Sequence, residues 1–185
     1  MFFYLYVISL IMTSTLSIQN AYDLSIANLP EQLSDLTEQF SPDVRFVSPE
    51  SFYQLISDSR VLIAQSVFQP ESIQGMIRYE SRGAGFIEIG GVLSSGSGIG
   101  RKLLAAALAE NSTKAATFML VTRVEKQQMI HLAEDFGFQF YKNGEIAQLT
   151  SADARTAAEM CYYKDASDHA DDAGRVIGIR PASAL

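Results

Sequence analysis

The chain has 185 residues, of which 48% are hydrophobic and 19% charged, and its formal net charge is −7. This composition is typical of one globular domain with a packed core and argues against a disordered chain. The acidic balance argues against a general nucleic-acid binder, although a local pocket can still hold a small anion. A single cysteine and two histidines provide neither an internal disulfide nor a zinc site, so no metal is expected.

The chain starts with an apolar segment, Phe2–Met12. This segment is shorter than the roughly 20 residues that span a bilayer, and no Lys or Arg precedes Arg45, so the basic region of a secretory signal is absent. We expect residues 1–15 to be an overextended start, with translation from Met12, or an element added to the domain. A membrane anchor is the alternative if the segment is genuine. The expected location is cytoplasmic.

Two helices are predicted next. Leu29–Pro30 opens the first, and Ser48 is an N-cap for the second, with Pro49 at its first position. Their apolar stripes are Leu33, Leu36 and Phe40 in the first helix and Phe52, Leu55 and Ile56 in the second.

Three strands and two turns are predicted after these helices. Val61–Phe68 is typical of a buried strand, Gln69–Ser72 of a turn, and Ile73–Tyr79 of a half-buried strand. Glu80–Gly85 is a second turn. Phe86–Val92 is the next strand, and its two glycines indicate a bulge or a close backbone approach.

The remaining elements follow a glycine-rich turn. An amphipathic helix runs from Ile99 to about Asn111, and Thr117–Thr122 is a buried strand. Apolar residues at helical spacing then predict a helix that ends at Gly137. Asn143–Gly144 predicts a hairpin between Phe138–Lys142 and Glu145–Leu149. From about Asp165 we expect a mobile tail, so the predicted organisation is a domain over residues 16–150 and an extension over 151–185.

The glycine-rich turn, Ser95–Gly100, precedes the helix from Ile99 with the sequence SGSGIG. Free amides at a helix start, together with the helix dipole, form an anion site that glycines leave open. A Walker A loop is excluded because Lys102 follows Arg101 and precedes Leu103. A dinucleotide fingerprint fits poorly because the third glycine comes one place early. A tight turn with no ligand remains an alternative.

The turn resembles motif A of the GCN5-related N-acetyltransferases, Q/R-x-x-G-x-G/A, with Ser95 in place of the Gln or Arg. Gly75 is similar to a glycine in the family's third strand, and Gly137–Phe138 is similar to the Gly-Phe pair at the end of a later helix. The resemblance implies an α/β fold with a mixed, twisted central sheet and helices on both faces. It implies acetyl-CoA as co-substrate, held by Val92, Leu93, Ser95, Gly96, Ser97, Gly98, Ile99, Gly100 and Arg101.

The same resemblance implies acetyl transfer to the amine of a small molecule or a protein, by a monomer or homodimer. Glu88 is then the candidate general base. Ala133 occupies the position at which the family often has a tyrosine that acts as general acid for the departing thiolate. Tyr141 is the nearest tyrosine along the chain that could take that role. The alternative is a non-catalytic domain of the same fold that binds coenzyme A or a protein partner.

Overall fold

The computed structural model describes residues 16–40, 46–83, 85–113, 117–142, 145 and 174–181. Within these ranges the strands are β1 (Leu16–Asn20), β2 (Val61–Ser66), β3 (Gln69–Gly83), β4 (Phe86–Ser94), β5 (Thr117–Arg123), β6 (Gln139–Tyr141) and β7 (Arg175–Pro181). The helices are α1 (Leu29–Gln39), α2 (Pro49–Ser57), α3 (Ile99–Asn111) and α4 (Gln127–Glu134).

The seven strands form one mixed sheet in the order β1-β2-β3-β4-β5-β7-β6. Strands β1 and β2, β2 and β3, β5 and β7, and β6 and β7 pair antiparallel, whereas β4 and β5 pair parallel. Helix α3 connects the two parallel strands, as a parallel connection requires. The α/β fold with a mixed sheet is as predicted.

The chain divides into two compact units, Met1–Arg78 with Gly91–Ala107, and Tyr79–Gly90 with Leu108–Leu185. In the first unit, α1 and α2 contribute Leu33 and Phe52 to a core in which both side chains are fully buried. The other buried members of this core are Ala21, Leu29, Val47, Val61, Ile63, Met76 and Leu93.

Helices cover both faces of the sheet in the first unit. Met76 of β3 packs in the core cluster with residues of α1 and α2. The adjacent residue, Gly75, lies against Ile99 of α3. Because successive residues of a strand point to opposite faces, α3 lies across the sheet from α1 and α2.

The side-chain contacts between β3 and β4 do not follow one continuous alternation. Glu88 pairs with Arg82 of β3, and Leu93 packs in one cluster with Met76 of β3. Arg82 and Met76 are an even number of residues apart, whereas Glu88 and Leu93 are an odd number apart. The alternation is therefore broken once, in β3 between Met76 and Arg82 or in β4 between Glu88 and Leu93, and a bulge at the two glycines of β4 stays a prediction.

In the second unit, β7 contributes buried residues to the sheet. Gly178 lies opposite Phe140 of β6, and a Cβ at Gly178 would stand 2.8 Å from the Phe140 ring. Arg180 is 3% exposed and lies with its guanidinium 5.7 Å from the centre of the Phe118 ring. Burial lowers the pKa of Arg180 from its ordinary value because the charged form loses hydration.

Four elements differ from the sequence predictions, and the first is the turn predicted at Glu80–Gly85, because β3 continues through Gly83. Strand β1 was not predicted, because only Leu16 and Ile18 give it apolar alternation among polar neighbours. The first hairpin turns at Val67–Phe68 and not at Gln69–Ser72. The expectation of a tail from Asp165 does not hold for Arg175–Pro181, which forms β7 inside the sheet.

Several sequence predictions lie outside the described residues. These are the apolar segment within residues 1–15, the turn at Asn143–Gly144, residues 146–149 of the strand predicted after that turn, and residues 151–173 and 182–185 of the predicted extension. Among the helices of the described ranges, none is long and apolar enough to cross a membrane.

Candidate functional site

The glycine-rich turn joins β4 to α3 inside the first unit. Residues Ser95–Gly98 are all exposed, whereas Ile99 is 8% exposed and anchors the start of the helix. The first helical hydrogen bond of α3 runs from Lys102 N to Gly98 O at 3.2 Å. The amides of Ile99 and Gly100 precede this bond and have no partner within the helix, so they can donate to an anion.

Gly98 has the left-handed backbone conformation that the turn requires. Its φ is +77°, which glycine adopts without the steric cost that a Cβ brings. A Cβ built at Gly98 would meet nothing within 4 Å, so the space in front of this residue is open. The backbone of the turn is therefore open on this side to an approaching anion such as a phosphate group.

Ser95 is exposed, but its hydroxyl is engaged by the neighbouring strand β3. Its backbone N–H and its hydroxyl both donate to the carbonyl oxygen of Gln74 in β3, each at 2.9 Å. The side chain that replaces the family's Gln or Arg thus fixes the turn to the sheet.

Gly75 of β3 lets this strand approach closely the residues that lead into the glycine-rich turn. A Cβ there would stand 2.6 Å from Leu93 O, 3.1 Å from Ser94 Cα and 3.1 Å from Ile99 Cγ2. Two of these atoms are backbone and cannot move aside cheaply. The structural role of Gly75, which the resemblance indicated only by position, is to leave room for the entry to the turn.

The other predicted coenzyme residues divide by exposure. Leu93 is 2% exposed and fills the core, so only its backbone can contact a ligand. Val92 and Gly100 are half-buried, and Ser97 is exposed at the tip of the turn. Gly96 is also exposed, and a Cβ there would meet only the side chain of Ile99, at 3.0 Å.

Two basic side chains follow the turn. Arg101 and Lys102 are exposed in the first turn of α3, and they form the one adjacent pair of Lys or Arg residues in the sequence. Both lie in the same unit as the turn. They are therefore positioned to attract an anion that approaches the helix start.

Glu88 lies in the second unit and is engaged in an ion pair. Its Oε2 accepts a hydrogen bond from Arg82 Nε and also contacts Arg82 Nη2. The same guanidinium lies 3.2 Å from Glu80 Oε2. The Arg82 and Glu88 side chains are 17% and 19% exposed, so the pair is largely shielded from water.

The structure does not bring Tyr141 to Glu88. Glu88 lies in one row across the sheet with Met119, Ile179 and Gln139, so three strand spacings, about 14 Å, separate β4 from β6. Tyr141 is two residues beyond Gln139 and donates its hydroxyl to the Gln139 side chain at 2.8 Å.

Ala133 is fully buried near the end of α4, and its carbonyl accepts hydrogen bonds from Phe136 N and Phe138 N. The position at which the family has its general-acid tyrosine is therefore a core and helix-capping position in this chain. Within the ranges that the structure describes, no group of three or more His, Cys, Asp or Glu side chains could hold a metal ion.

No protein-family model matches the sequence, and no curated protein is similar to it in sequence. Solved structures do match the fold. N-acetylglutamate synthase from Neisseria gonorrhoeae, solved with coenzyme A and N-acetyl-glutamate, superposes with a TM-score of 0.62 at 15% identity over 90% of this chain. This chain spans 35% of that protein's length.

Two further solved structures are similar over most of their own lengths. Ard1 from Thermoplasma volcanium has a TM-score of 0.62 at 12% identity and covers 90% of this chain and 97% of its own. Spermidine N-acetyltransferase from Vibrio cholerae, in complex with CoA and spermine, has a TM-score of 0.54 at 16% identity and covers 69% of this chain and 83% of its own. The chain therefore has the fold of the GCN5-related N-acetyltransferases, as its glycine-rich turn predicted.

Proposed function

We propose that this protein binds acetyl-CoA through Ser95–Arg101 and transfers the acetyl group to an amine. The observation that carries the proposal is the open, exposed turn at Gly98, placed at the start of α3 in a fold whose solved examples hold CoA. The backbone amides of Ile99 and Gly100 would hold a phosphate group. Arg101 and Lys102 would add attraction at longer range.

The proposed reaction needs little covalent chemistry from the protein. Acetyl-CoA supplies a thioester, which is an activated acyl donor. The amine nitrogen forms a bond to the acetyl carbon, the carbon–sulfur bond breaks, and the amine loses one proton. Glu88 is the proposed acceptor of that proton, directly or through water, and its carboxylate also accepts a hydrogen bond from Arg82.

A second candidate function is a CoA-binding domain without catalysis. Three observations favour it: Glu88 is ion-paired, Ala133 is buried where the family has a tyrosine, and Tyr141 lies across the sheet from Glu88.

The acceptor in the first proposal is a small-molecule or protein amine, and the proposed location is cytoplasmic.

Ligand-induced stabilisation tests the binding step. At 100 times its dissociation constant, CoA stabilises the folded state by about 2.7 kcal/mol, which raises the melting temperature of a chain this size by about 5–10 °C. No shift at millimolar CoA or acetyl-CoA would contradict both candidate functions. Release of free CoA thiol from acetyl-CoA with a panel of amines then separates the enzyme from the binding domain.

The salt dependence of CoA affinity tests the two basic residues. We expect affinity to fall as salt rises, because Arg101 and Lys102 attract phosphate through exposed, screened charges. The double variant Arg101→Gln/Lys102→Gln should flatten that dependence. The control variant Lys126→Gln/Lys142→Gln removes the same charge elsewhere and should keep it. Calorimetric titrations at several salt concentrations measure how steeply CoA affinity falls with salt. Equal slopes in the unsubstituted chain and the Arg101/Lys102 variant would show that these two residues are ordinary solvated side chains without a role in CoA binding.

A further inference from the structure

Strand β3 contains one extra residue where it passes the glycine-rich turn. Ala64 of β2 pairs with Gly75, whereas the next residue of β2, Gln65, pairs with Ile73. One step along β2 therefore corresponds to two steps along β3, and Gln74 is the extra residue of a β-bulge. Bulges of this kind change the direction of a side chain, and they are frequent next to binding sites.

The bulge places Gln74 on the face of the sheet that carries the start of α3. Ile73 and Met76 both pack in the core cluster that contains residues of α1 and α2. Because neighbouring side chains of a strand alternate, Gln74, next to Ile73, is directed away from that core. Gly75, next to Met76, is directed the same way, and a Cβ there would lie 3.1 Å from Ile99 Cγ2 of α3. Gln74 and Gly75 therefore share the face on which the helix begins.

The backbone of Gln74 is bonded to the turn, which leaves its side chain available for a ligand. Its carbonyl oxygen accepts hydrogen bonds from Ser95 N and Ser95 Oγ, each at 2.9 Å. The Ser95 hydroxyl is therefore already used, and it fixes Gln74 beside the first residue of the turn. The Gln74 side chain is half-buried, and within the described ranges its amide makes no hydrogen bond. The amide nitrogen carries two N–H donors, which an anion at the turn can accept.

We propose that Gln74 is a further coenzyme-binding residue, whose side-chain amide donates a hydrogen bond to a phosphate oxygen of CoA at Gly98–Gly100. This inference rests on the proposed function, because it requires the coenzyme at the turn. Gln74 and the turn belong to the same unit of the chain. A hydrogen bond to a charged oxygen is stronger than one between neutral groups. Unlike the exposed cations Arg101 and Lys102, Gln74 acts through a directed contact of a neutral group, which salt screens little.

Calorimetric titration of three Gln74 variants with CoA, at low and high salt, tests this inference. Gln74→Leu removes the donor at similar size and should weaken CoA binding about tenfold at both salt concentrations. Gln74→Glu keeps the size but brings a negative charge to the phosphate, so it should weaken binding further. Gln74→Arg supplies a charged donor and should bind CoA more tightly, with a steeper dependence on salt. A purely structural role of Gln74 would not produce tighter binding in the arginine variant.

The same three substitutions at Gln69 are the controls, because Gln69 is an exposed residue at the start of the same strand. They should leave CoA affinity nearly unchanged. Circular dichroism shows which variants fold, and Gln74→Glu, which preserves the size of the side chain, decides if Gln74→Leu does not.

Three results would overturn this inference alone: equal CoA affinity in the unsubstituted chain and the folded Gln74 variants, equal weakening by all three Gln74 substitutions, or the same changes in affinity at Gln69. An unsubstituted chain that does not bind CoA at millimolar concentration would overturn the proposed function and this inference together.

Discussion

Gly98→Val is expected to abolish the CoA-induced rise in melting temperature while the protein remains folded. Valine adds a Cβ and two methyl groups at the open side of the turn, where the phosphate would approach the backbone. It also forces a side chain into a φ of +77°, which costs about 1–2 kcal/mol. Because nothing lies within 4 Å of the added Cβ, that conformational strain is the main cost in the free protein. Thermal unfolding with and without CoA measures both effects.

Two further variants separate conformational strain from obstruction of the ligand. Ser59 has a φ of 54° in the same unit, so Ser59→Val imposes comparable strain away from the turn and should keep the CoA shift. Gly98→Asn tolerates the left-handed conformation but still fills the opening. It should lose the shift with a smaller loss of stability. A Gly98→Val protein that binds CoA as tightly as the unsubstituted chain would refute the phosphate site at this turn.

Local sequence signals were sufficient to predict helices α1 and α2. Ser48 caps α2 as expected, and its hydroxyl accepts a hydrogen bond from Ser51 N at 3.3 Å. The glycine-rich turn was predicted from the same kind of local rule, because backbone freedom at Gly98 and an unfilled helix start both follow from sequence.

Strand β7 was missed because its signal is not local. Val176, Ile177 and Ile179 are buried, but Gly178 interrupts them and an acidic run precedes them in the sequence. The strand is stabilised by pairing with β5 and by the Phe140 ring that lies against Gly178. Such contacts form between residues that are far apart in sequence, so the strand's own residues do not show them.

The ion pair of the candidate site was missed for a related reason. The composition of ESRGAG, Glu80–Gly85, predicts a turn, whereas β3 continues through Gly83 and β4 begins at Phe86. With the turn correctly placed, Arg82 and Glu88 lie on opposite sides of it, on neighbouring strands. Opposite charges at Arg82 and Glu88 indicate such a pair, but the turn-like composition of the residues between Glu80 and Gly85 led to a different prediction.

Glu88→Gln is expected to lower kcat by roughly 100-fold and to leave CoA affinity nearly unchanged, if Glu88 accepts the proton of the amine. The ion pair makes a matched control possible. Arg82→Gln breaks the same contact from the other side but leaves the carboxylate in place. Both variants should lose some stability, because each leaves one partner of a shielded charge pair without the other. Only Glu88→Gln should lose most of its turnover.

The pH profile distinguishes the remaining explanations. A deprotonated amine attacks, so activity should rise toward alkaline pH, and no steep loss is expected above about pH 8 because the departing thiolate needs no proton from an acid there. Glu88→Gln should lower the profile at neutral pH more than at alkaline pH, where solvent deprotonates the amine without help. Equal loss of turnover in Glu88→Gln and Arg82→Gln would assign the pair a structural role. Full turnover in Glu88→Gln would instead make direct attack by the solvent-deprotonated amine the better explanation, with no protein base.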